Sequence, residues 1–308
     1  MGLDPNSGPN GGNAQSPRFF QLYMGHDDEI TLSLLNRAWR AGYDVLMLTT
    51  DTWQLGWRPT DMNIANYTFY YPGTVGNEMG TSDPVFMRKH AEDLERDSGK
   101  WIDHSVWHGK AHGWDKVRWL IGEWNRISGG RPFVLKGIQN AADAQRALEV
   151  GCAGIVVTNH AGRQVDGAVG SLEVLPEIVE AVGDSACPLP PLLLLSFLSL
   201  PRWKLAHVNE PTEMTIIFDS GVRTGADVFK ALALGAHAVE VGRLYIWGMA
   251  HEGEAGCRHV MKSLLADLDI LMTVAGYSSI DKDVRGNKEA LRYNPHGVPP
   301  GSGEYARL

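Results

Sequence analysis

Short apolar segments alternate with helical patterns along most of this 308-residue sequence, and this alternation restricts the fold more than any other feature. Each segment is apolar throughout rather than at every second residue, which indicates a strand covered on both faces. The predicted strands are 19–23, 45–48, 133–136, 154–158, 215–218 and 238–241. The predicted helices, where apolar residues recur at three- and four-residue spacing, are 27–41, 140–150, 171–182, 225–234 and 254–274. The sequence therefore predicts an α/β fold with a parallel sheet covered by helices.

Two long segments interrupt this alternation. Residues 62–115 are rich in Tyr, Trp, Gly and His and predict a long, lid-like loop. Residues 187–214 carry prolines and a Leu run without a clear period, and they predict an atypical insertion. The polar residues 1–17, rich in Gly and Asn, predict a flexible tail. We therefore expect one barrel-type domain over 18–280 and a C-terminal extension over 281–308.

Composition and charge narrow the class of protein. Lys and Arg number 28 and Asp and Glu number 36, so the formal net charge is −8. Without a dense basic stretch, nucleic acid is not an expected partner. The longest apolar run, 189–200, is shorter than the roughly 20 residues that a membrane span needs, so no membrane partner is expected. Cys152, Cys187 and Cys257 form no CxxC pair, which favours a reducing compartment.

Chemically active side chains follow the ends of the predicted strands. These ends supply Tyr23, Thr49, Asp51, Lys136, Asn159, His160, Arg163, Asp219, Arg223, Gly242 and Arg243. A parallel barrel collects its active site at the C-terminal ends of its strands, so these side chains are expected to lie together. A tyrosine, an aspartate, a lysine, a histidine and several arginines in these positions indicate an active site rather than a set of ordinary turns.

The last two strand ends have the composition of a phosphate site. Residues 219–225 read DSGVRTG, and the Gly242-Arg243 pair follows the next strand. Glycines let backbone N–H groups approach a phosphate closely, and arginines neutralise its charge. A single Gly-Arg pair fits an ordinary turn better. The two motifs in this order indicate a phosphate-bearing ligand, since the last loops of such barrels commonly bind phosphate.

Several motifs resemble the FMN-dependent 2-hydroxy acid oxidase/dehydrogenase family. They read LTTDTWQLGWRPTD, PFVLKGI, GIVVTNHAGRQVDG, DSGVRTGADVFKALALGAHAV and VGRLYIWG. The resemblance runs from about residue 18 to residue 275, apart from 187–214. The aromatic segment, with NYTFYYPG, GNEMG, SDPVF and DSGKWIDHSVWHGKAH, looks most like the lactate 2-monooxygenase branch. The resemblance implies FMN as the cofactor and a TIM-type (β/α)8 barrel.

The resemblance also implies roles for individual residues. His160 matches the catalytic base, and Asp51 would orient its imidazole and stabilise the imidazolium. Tyr23, Arg58 and Arg163 match substrate-binding positions. The family's contacts to the flavin and its phosphate fall on Gln21, Thr49, Lys136, Thr158, Asp219, Gly221, Arg223, Gly242 and Arg243. Three alternatives stay open: Tyr23 as an ordinary strand aromatic, Lys136 as a surface lysine and His160 as a turn residue.

The chain departs from the family pattern in three places. The family barrel begins with two βα units before the strand that matches 18–23, so about six of the eight strands are expected here and the barrel is incomplete. The 187–214 segment replaces a short connection. Ser220 replaces a glycine of the family's usual DGG, and we expect it to adopt a negative φ and offer its N–H.

The expected function is FMN-dependent oxidation of a small (S)-2-hydroxy acid such as lactate. O2 is the expected acceptor, with oxidative decarboxylation to acetate as in the lactate 2-monooxygenase branch. One alternative is a plain 2-hydroxy acid oxidase or dehydrogenase, and another is a truncated FMN-binding remnant without turnover. A phosphate-binding barrel of another chemistry is disfavoured by His160 and Arg163 on one loop. The complete protein is expected to form a homo-oligomer.

Two further patterns concern metal and location. His104, His108 and His112 recur every fourth residue, but Gly109 and Gly113 would break a helix there, so no metal site is expected. The N-terminal residues lack the apolar core of a signal peptide, which favours the cytoplasm. The final residues, Ala-Arg-Leu, are a close variant of the Ser-Lys-Leu peroxisomal signal, which favours the peroxisome instead.

Overall fold

The computed structural model describes residues 17–64, 76–182 and 214–292, and six parallel strands form its sheet. The strands are Phe19–Leu22 (β1), Val45–Thr49 (β2), Phe133–Ile138 (β3), Gly154–Val157 (β4), Thr215–Phe218 (β5) and Ala238–Val239 (β6). They pair in chain order, each with the next. The sheet curls into a half-barrel, so the predicted α/β fold, an incomplete TIM-type barrel with about six strands, is confirmed.

Side chains alternate between the two faces of this sheet. One face carries a small apolar cluster made of Val45, Met47, Val134, Val156 and Ile217. The other face packs into the main core together with the helices. Two residues further along three of these strands, the first face carries Thr49, Lys136 and Asp219. A polar layer therefore lies directly above an apolar layer, at the C-terminal edge of the sheet.

Helices cover the sheet. They are Asp28–Arg40 (α1), Pro59–Asn63 (α2), Glu78–Thr81 (α3), Pro84–His90 (α4), Trp114–Ser128 (α5), Ala141–Glu149 (α6), Ser171–Val182 (α7), Gly225–Ala233 (α8) and Arg243–Ala275 (α9). Asp27, Asn140 and Thr224 cap α1, α6 and α8, because their side-chain oxygens accept backbone N–H groups of the first turn. These caps stand where the sequence indicates a helix start.

The segment expected to be a loop, 62–115, contains α3, α4 and two single turns within its described part. Phe86 and Trp101 are buried there, with ring centroids 5.2 Å apart. Asp83 caps α4 and also accepts hydrogen bonds from Ser33 and Arg37 of α1, at 2.8 and 2.9 Å. The loop prediction is wrong for this part, because contacts with α1 stabilise helices too short to leave a strong pattern in the sequence.

The last helix, α9, begins at Arg243 rather than at residue 254 as predicted. Non-helical backbone at Glu252 and Gly253 interrupts it. Gly248 and Gly256 pack against each other across this break, since a Cβ on Gly256 would lie 1.9 Å from the Gly248 carbonyl oxygen. The interruption explains why the helical period becomes visible in the sequence only after it.

The sheet has two edges, β1 and β6, each paired on one side among the described residues. Part of the expected C-terminal extension, residues 281–292, packs against α8 and α9, with Val284 fully buried. No helix in the described ranges is both long and apolar enough to cross a membrane. The predicted tail, residues 1–17, and the predicted insertion, 187–214, lie almost entirely outside the described residues.

Candidate active site

A cavity of about 550 Å³ lies at the C-terminal edge of the sheet. Ten of the fourteen candidate residues line it: Gln21, Tyr23, Lys136, His160, Arg163, Asp219, Gly221, Arg223, Gly242 and Arg243. The other four, Thr49, Asp51, Arg58 and Thr158, are not part of this lining. The expectation that the strand-end residues lie together is therefore met for most of the set.

His160 is held by an ionised carboxylate. Its Nδ1 lies 2.8 Å from Asp51 Oδ1, and Thr52 Oγ1 donates to the same oxygen at 2.8 Å. Burial raises the pKa of Asp51, but the hydrogen bond from His160 and the charge of Lys136 outweigh burial, so this pKa is lowered. Because an ionised carboxylate only accepts, Nδ1 carries the proton and the neutral ring keeps a lone pair on Nε2. The alternative of a turn histidine bonded only to backbone is wrong.

Lys136 is buried between two carboxylates. Its Nζ lies 3.7 Å from Asp51 Oδ2 and 3.7 Å from Asp219 Oδ2, and the residue is 7% exposed. A bulge at Gly137, with φ +112°, follows it, and a Cβ there would lie 2.7 Å from Thr50 Oγ1. The alternative of a surface lysine is therefore wrong. The Lys136 ammonium therefore lies between the Asp51 and Asp219 carboxylates and links them.

Backbone strain is concentrated on two loops of the cavity. Among the described residues, the non-glycine residues with positive φ are His160 (54°), Ala161 (55°) and Ser220 (97°). The expectation of a negative φ at Ser220 is wrong. Its hydroxyl accepts a hydrogen bond from the Ala161 N–H at 2.9 Å and contacts Thr158 Oγ1 at 2.9 Å. Side-chain contacts hold these strained residues in place, as is common at functional sites.

The two candidate substrate-binding arginines have different surroundings. Arg163 is among the residues that line the cavity, whereas Arg58 is not. Arg58 Nε donates to the Arg163 carbonyl oxygen at 2.7 Å, and Nη2 donates to Gln164 Oε1 at 2.8 Å. A Cβ on Gly56 would lie 2.7 Å from the same Arg163 carbonyl oxygen, so glycine is needed for this close packing. Arg58 therefore joins the loop after β2 to the loop after β4.

Tyr23 lines the cavity beside these groups and is partly buried. Burial and the nearby charge of Asp51 raise its pKa to about 12. The phenol is therefore protonated throughout the physiological range and can donate a hydrogen bond into the cavity.

The far end of the cavity is open and basic. Gly221, Arg223, Gly242 and Arg243 are all exposed there. The Arg223 guanidinium lies 6.0 Å from the centre of the Trp247 ring. A Cβ added at Gly221 or Gly242 would meet no atom within 4 Å, so space lies in front of both backbones. This end can accept a phosphate from solvent.

One titratable group in the cavity, Glu240, was not predicted from the sequence. Glu240 lines it two residues before Gly242, and burial together with the charge of Asp219 raises its pKa to about 7, although Lys136 opposes this. Strand alternation could have identified Glu240, since it lies two residues beyond Ala238 on the same strand end. Tyr245, Ile246 and Trp247 form an apolar wall of the cavity. This wall was not predicted either, because the predicted helix began after these residues.

The histidines at 104, 108 and 112 do not form a single stripe. The rings of His104 and His90 lie 4.4 Å apart, measured between centroids. His108 and His112 lie instead beside His26, near the end of β1.

A parallel half-barrel with a His–Asp pair at one end of its cavity and exposed glycines and arginines at the other belongs to the class of α/β barrels whose strand ends form a site with a phosphate-binding end. Residues 10–287 match the FMN-dependent dehydrogenase family, and the chain belongs to this family.

The relatives are hydroxy acid dehydrogenases and oxidases. The chain is 46% identical over 275 residues to the FMN-dependent alpha-hydroxy acid dehydrogenase qulF of Penicillium citrinum, covering 87% of this chain and 59% of that protein. It is 36% identical over 266 residues to an L-lactate oxidase of Lysinibacillus sphaericus, covering 86% and 59%. The crystal structure of a lactate oxidase of Pediococcus acidilactici superposes with a TM-score of 0.63 at 30% identity, covering 90% and 62%. The chain thus spans about three fifths of the length of these relatives.

FMN is the cofactor of this family, and the residues present fit it. Thr49 Oγ1, in the polar layer with Lys136 and Asp219, is buried and has no hydrogen-bond partner in the described part of the chain, and a polar ring atom of FMN would supply one. The open glycine backbones and the exposed arginines at the far end suit a phosphate. Both ends of the cavity therefore offer what a flavin mononucleotide needs.

Proposed function

We propose that this chain carries the reaction centre for FMN-dependent oxidation of a small (S)-2-hydroxy acid to the 2-oxo acid. The 2.8 Å contact between His160 Nδ1 and Asp51 Oδ1 carries the proposal, because it leaves the Nε2 lone pair available as a base. Oxidation of the alcohol removes two electrons and two protons, and His160 accepts one of these protons. Asp51 stabilises the imidazolium that results.

Arg163 and Tyr23 bind and orient the substrate in this proposal. A guanidinium forms two parallel hydrogen bonds to a carboxylate, so Arg163 suits the acid group. Tyr23, protonated because its pKa is about 12, donates to the hydroxyl or to the carboxylate. Arg58 is a positioning residue, since its guanidinium binds the backbone that carries Arg163.

The cofactor would be held along the whole cavity. FMN, when bound, would supply the acceptor for the two electrons and the second proton. Lys136 would provide a positive charge beside the ring, where reduction adds negative charge. The other ring and ribityl contacts would come from Gln21, Thr49, Thr158 and Asp219, and the phosphate contacts from Gly221, Arg223, Gly242 and Arg243.

O2 is the proposed acceptor for the reduced cofactor, and lactate 2-monooxygenase chemistry is the proposed outcome. In that chemistry the 2-oxo acid stays enclosed with peroxide and loses CO2, so lactate yields acetate. A plain oxidase releases pyruvate and hydrogen peroxide instead. Product analysis after aerobic turnover of lactate distinguishes the two.

A non-catalytic FMN-binding remnant is the second candidate. The observation that favours it is the apolar surface at the open edge, where Trp247 is 55% exposed and Ile246 is 42% exposed. Exposed aromatic and aliphatic side chains of this size usually have a covering partner. A remnant would bind FMN through the phosphate end without being reduced by substrate.

Anaerobic reduction of the flavin tests the proposal. The full chain, loaded with FMN, should lose its flavin absorbance when (S)-lactate is added. His160→Ala should bind FMN equally well but reduce it about 100- to 10,000-fold more slowly, because general base catalysis contributes that much. A His251→Ala variant, exposed on α9, is the control and should match the parent. Equal reduction rates in His160→Ala and the parent would show that His160 is not the base.

The proposed location is the peroxisome or the cytoplasm. The final three residues, Ala-Arg-Leu, lie outside the described residues. A relative from Oryza sativa is named a peroxisomal (S)-2-hydroxy-acid oxidase, which supports the first location. A fluorescent protein carrying the last dozen residues should enter peroxisomes, and a purely cytosolic signal would support the second.

A further inference from the structure

Three histidines from two distant segments meet beside the end of β1. His26 follows this strand, whereas His108 and His112 precede α5. One ring nitrogen from each of them lies within 4.8 Å of the other two. The ring centroids are 4.5 Å apart for His26 and His108, 4.1 Å for His26 and His112, and 5.6 Å for His108 and His112. Within the described ranges, no other group of three His, Cys, Asp or Glu side chains has this arrangement.

The hydrogen bonds of these rings fix the positions of their protons. His108 Nε2 and His112 Nε2 each lie 3.0 Å from the Met24 carbonyl oxygen, and His26 Nε2 lies 3.1 Å from the Lys110 carbonyl oxygen. Because a carbonyl oxygen only accepts, each Nε2 carries a proton, and Nδ1 is the nitrogen with a lone pair in the neutral ring. On His108 this nitrogen accepts the Lys110 N–H at 3.3 Å, a long contact that a metal ion would have to replace. Metal-bound histidines typically have this arrangement, with one nitrogen on the metal and the other donating to a backbone carbonyl.

We propose that His26, His108 and His112 bind one divalent transition-metal ion of the zinc class, with a water molecule in the fourth position. Three imidazoles with one open position form a known zinc coordination set, with Zn–N distances of about 2.0–2.1 Å. Tetrahedral geometry places ligand nitrogens about 3.4 Å apart, so the rings must move closer together to bind one ion. His26 is exposed and can make this movement.

The site would join segments that surround the substrate end of the cavity. Met24, whose carbonyl orients two of the rings, directly follows Tyr23. The Trp53 ring lies 5.2 Å from His112 and 6.0 Å from His108, between centroids, and Trp53 follows the Asp51-Thr52 pair. A bound ion would therefore fix the end of β1 to the segment before α5, beside the loop after β2 and independently of FMN.

Zinc binding to the full chain tests this proposal. The purified chain is stripped with a chelator and desalted, and Zn²⁺ is then titrated in competition with a chromophoric chelator. We expect one Zn²⁺ per chain. Co²⁺ used as a second probe should show the visible absorption of a tetrahedral ion, and Zn²⁺ should raise the melting temperature of the chain.

Substitutions locate the ion. His26→Ala changes an exposed side chain and should weaken Zn²⁺ binding at least about 100-fold while leaving the metal-free melting temperature unchanged. His112→Ala should have the same effect on binding, and His251→Ala on α9 is the matched control that should bind as the parent does. Failure of the parent to bind stoichiometric Zn²⁺ at micromolar concentration overturns the proposal. Unchanged binding by the folded His26→Ala variant overturns it as well.

Discussion

The two ends of the cavity are built in different ways. At the reaction end, protein groups bond to one another: Asp51 to His160, Lys136 to two carboxylates, and the Ser220 hydroxyl to the Ala161 N–H. At the phosphate end, glycine backbones and two arginines are exposed to solvent. The first end is organised before any ligand arrives, and the second is shaped to receive one. Orientation of reacting groups depends on rigid support, whereas phosphate binding depends on charge and on accessible N–H groups.

Glu240 lies between the two ends, and its substitution tests this difference with the largest expected effect. Its pKa is raised to about 7 from an ordinary value of 4.5, so ionisation is disfavoured in the folded state. The chain therefore loses stability as pH rises from about 4.5 to 7, and the loss is complete above pH 7. A shift of this size corresponds to a loss on the order of 3 kcal/mol.

Glu240→Gln removes this loss, because glutamine does not ionise. The variant and the parent should be equally stable near pH 4.5, and the variant should be more stable by up to about 3 kcal/mol at pH 8. Urea unfolding between pH 4.5 and 8 measures the difference. Glu180→Gln, on the exposed face of α7, is the control and should follow the parent at every pH. A constant difference between Glu240→Gln and the parent would contradict the assignment.

The phosphate end is tested by removing one of its charges. Arg223→Ala should weaken FMN binding about 10- to 100-fold, since one charge-assisted hydrogen bond contributes about 1.5–3 kcal/mol. The reduction rate of the flavin that does bind should stay unchanged, because the reaction end is intact. Flavin fluorescence titration measures the first quantity and anaerobic reduction the second. Arg258→Ala, on the exposed side of α9, serves as the control. A slower reduction of bound flavin would show that the two ends are not separate.

The sequence predicts the sheet well because its strands are apolar throughout. All six strands begin within one residue of their predicted starts, and most of the charged residues that follow them line the cavity. This part of the fold is encoded locally, in short apolar runs and in the caps Asp27, Asn140 and Thr224. The position of a residue relative to a strand end is enough to place it at the site.

Features that depend on distant contacts could not be predicted in this way. Asp83 stabilises α4 through Arg37, 46 residues earlier in the chain. His26 joins His108 and His112 across more than 80 residues, although the sequence spacing pairs them with His104. The positive φ of Ser220 depends on its contact with Ala161, 59 residues away. Local patterns carry no information on such contacts.

The smallest expected effect separates strain from hydrogen bonding at Ser220. Its side chain favours a negative φ, yet φ is 97°, and backbone strain of this kind costs about 1–3 kcal/mol. Ser220→Ala and Ser220→Gly both remove the hydroxyl that accepts from Ala161, so both lose the same hydrogen bond. Only glycine also releases the strain. Ser220→Gly should therefore be about 1 kcal/mol more stable than Ser220→Ala, measured by urea unfolding.

Ala266, exposed in the middle of α9, provides the control for this pair, because Ala266→Gly should cost about 1 kcal/mol there. The protein with glycine is thus expected to be less stable than the protein with alanine in the helix, and more stable in the Ser220 loop. Equal stability of the two Ser220 variants would mean that the loop accommodates positive φ without cost. The hydrogen bonds of the reaction end would then hold this loop without opposing any strain.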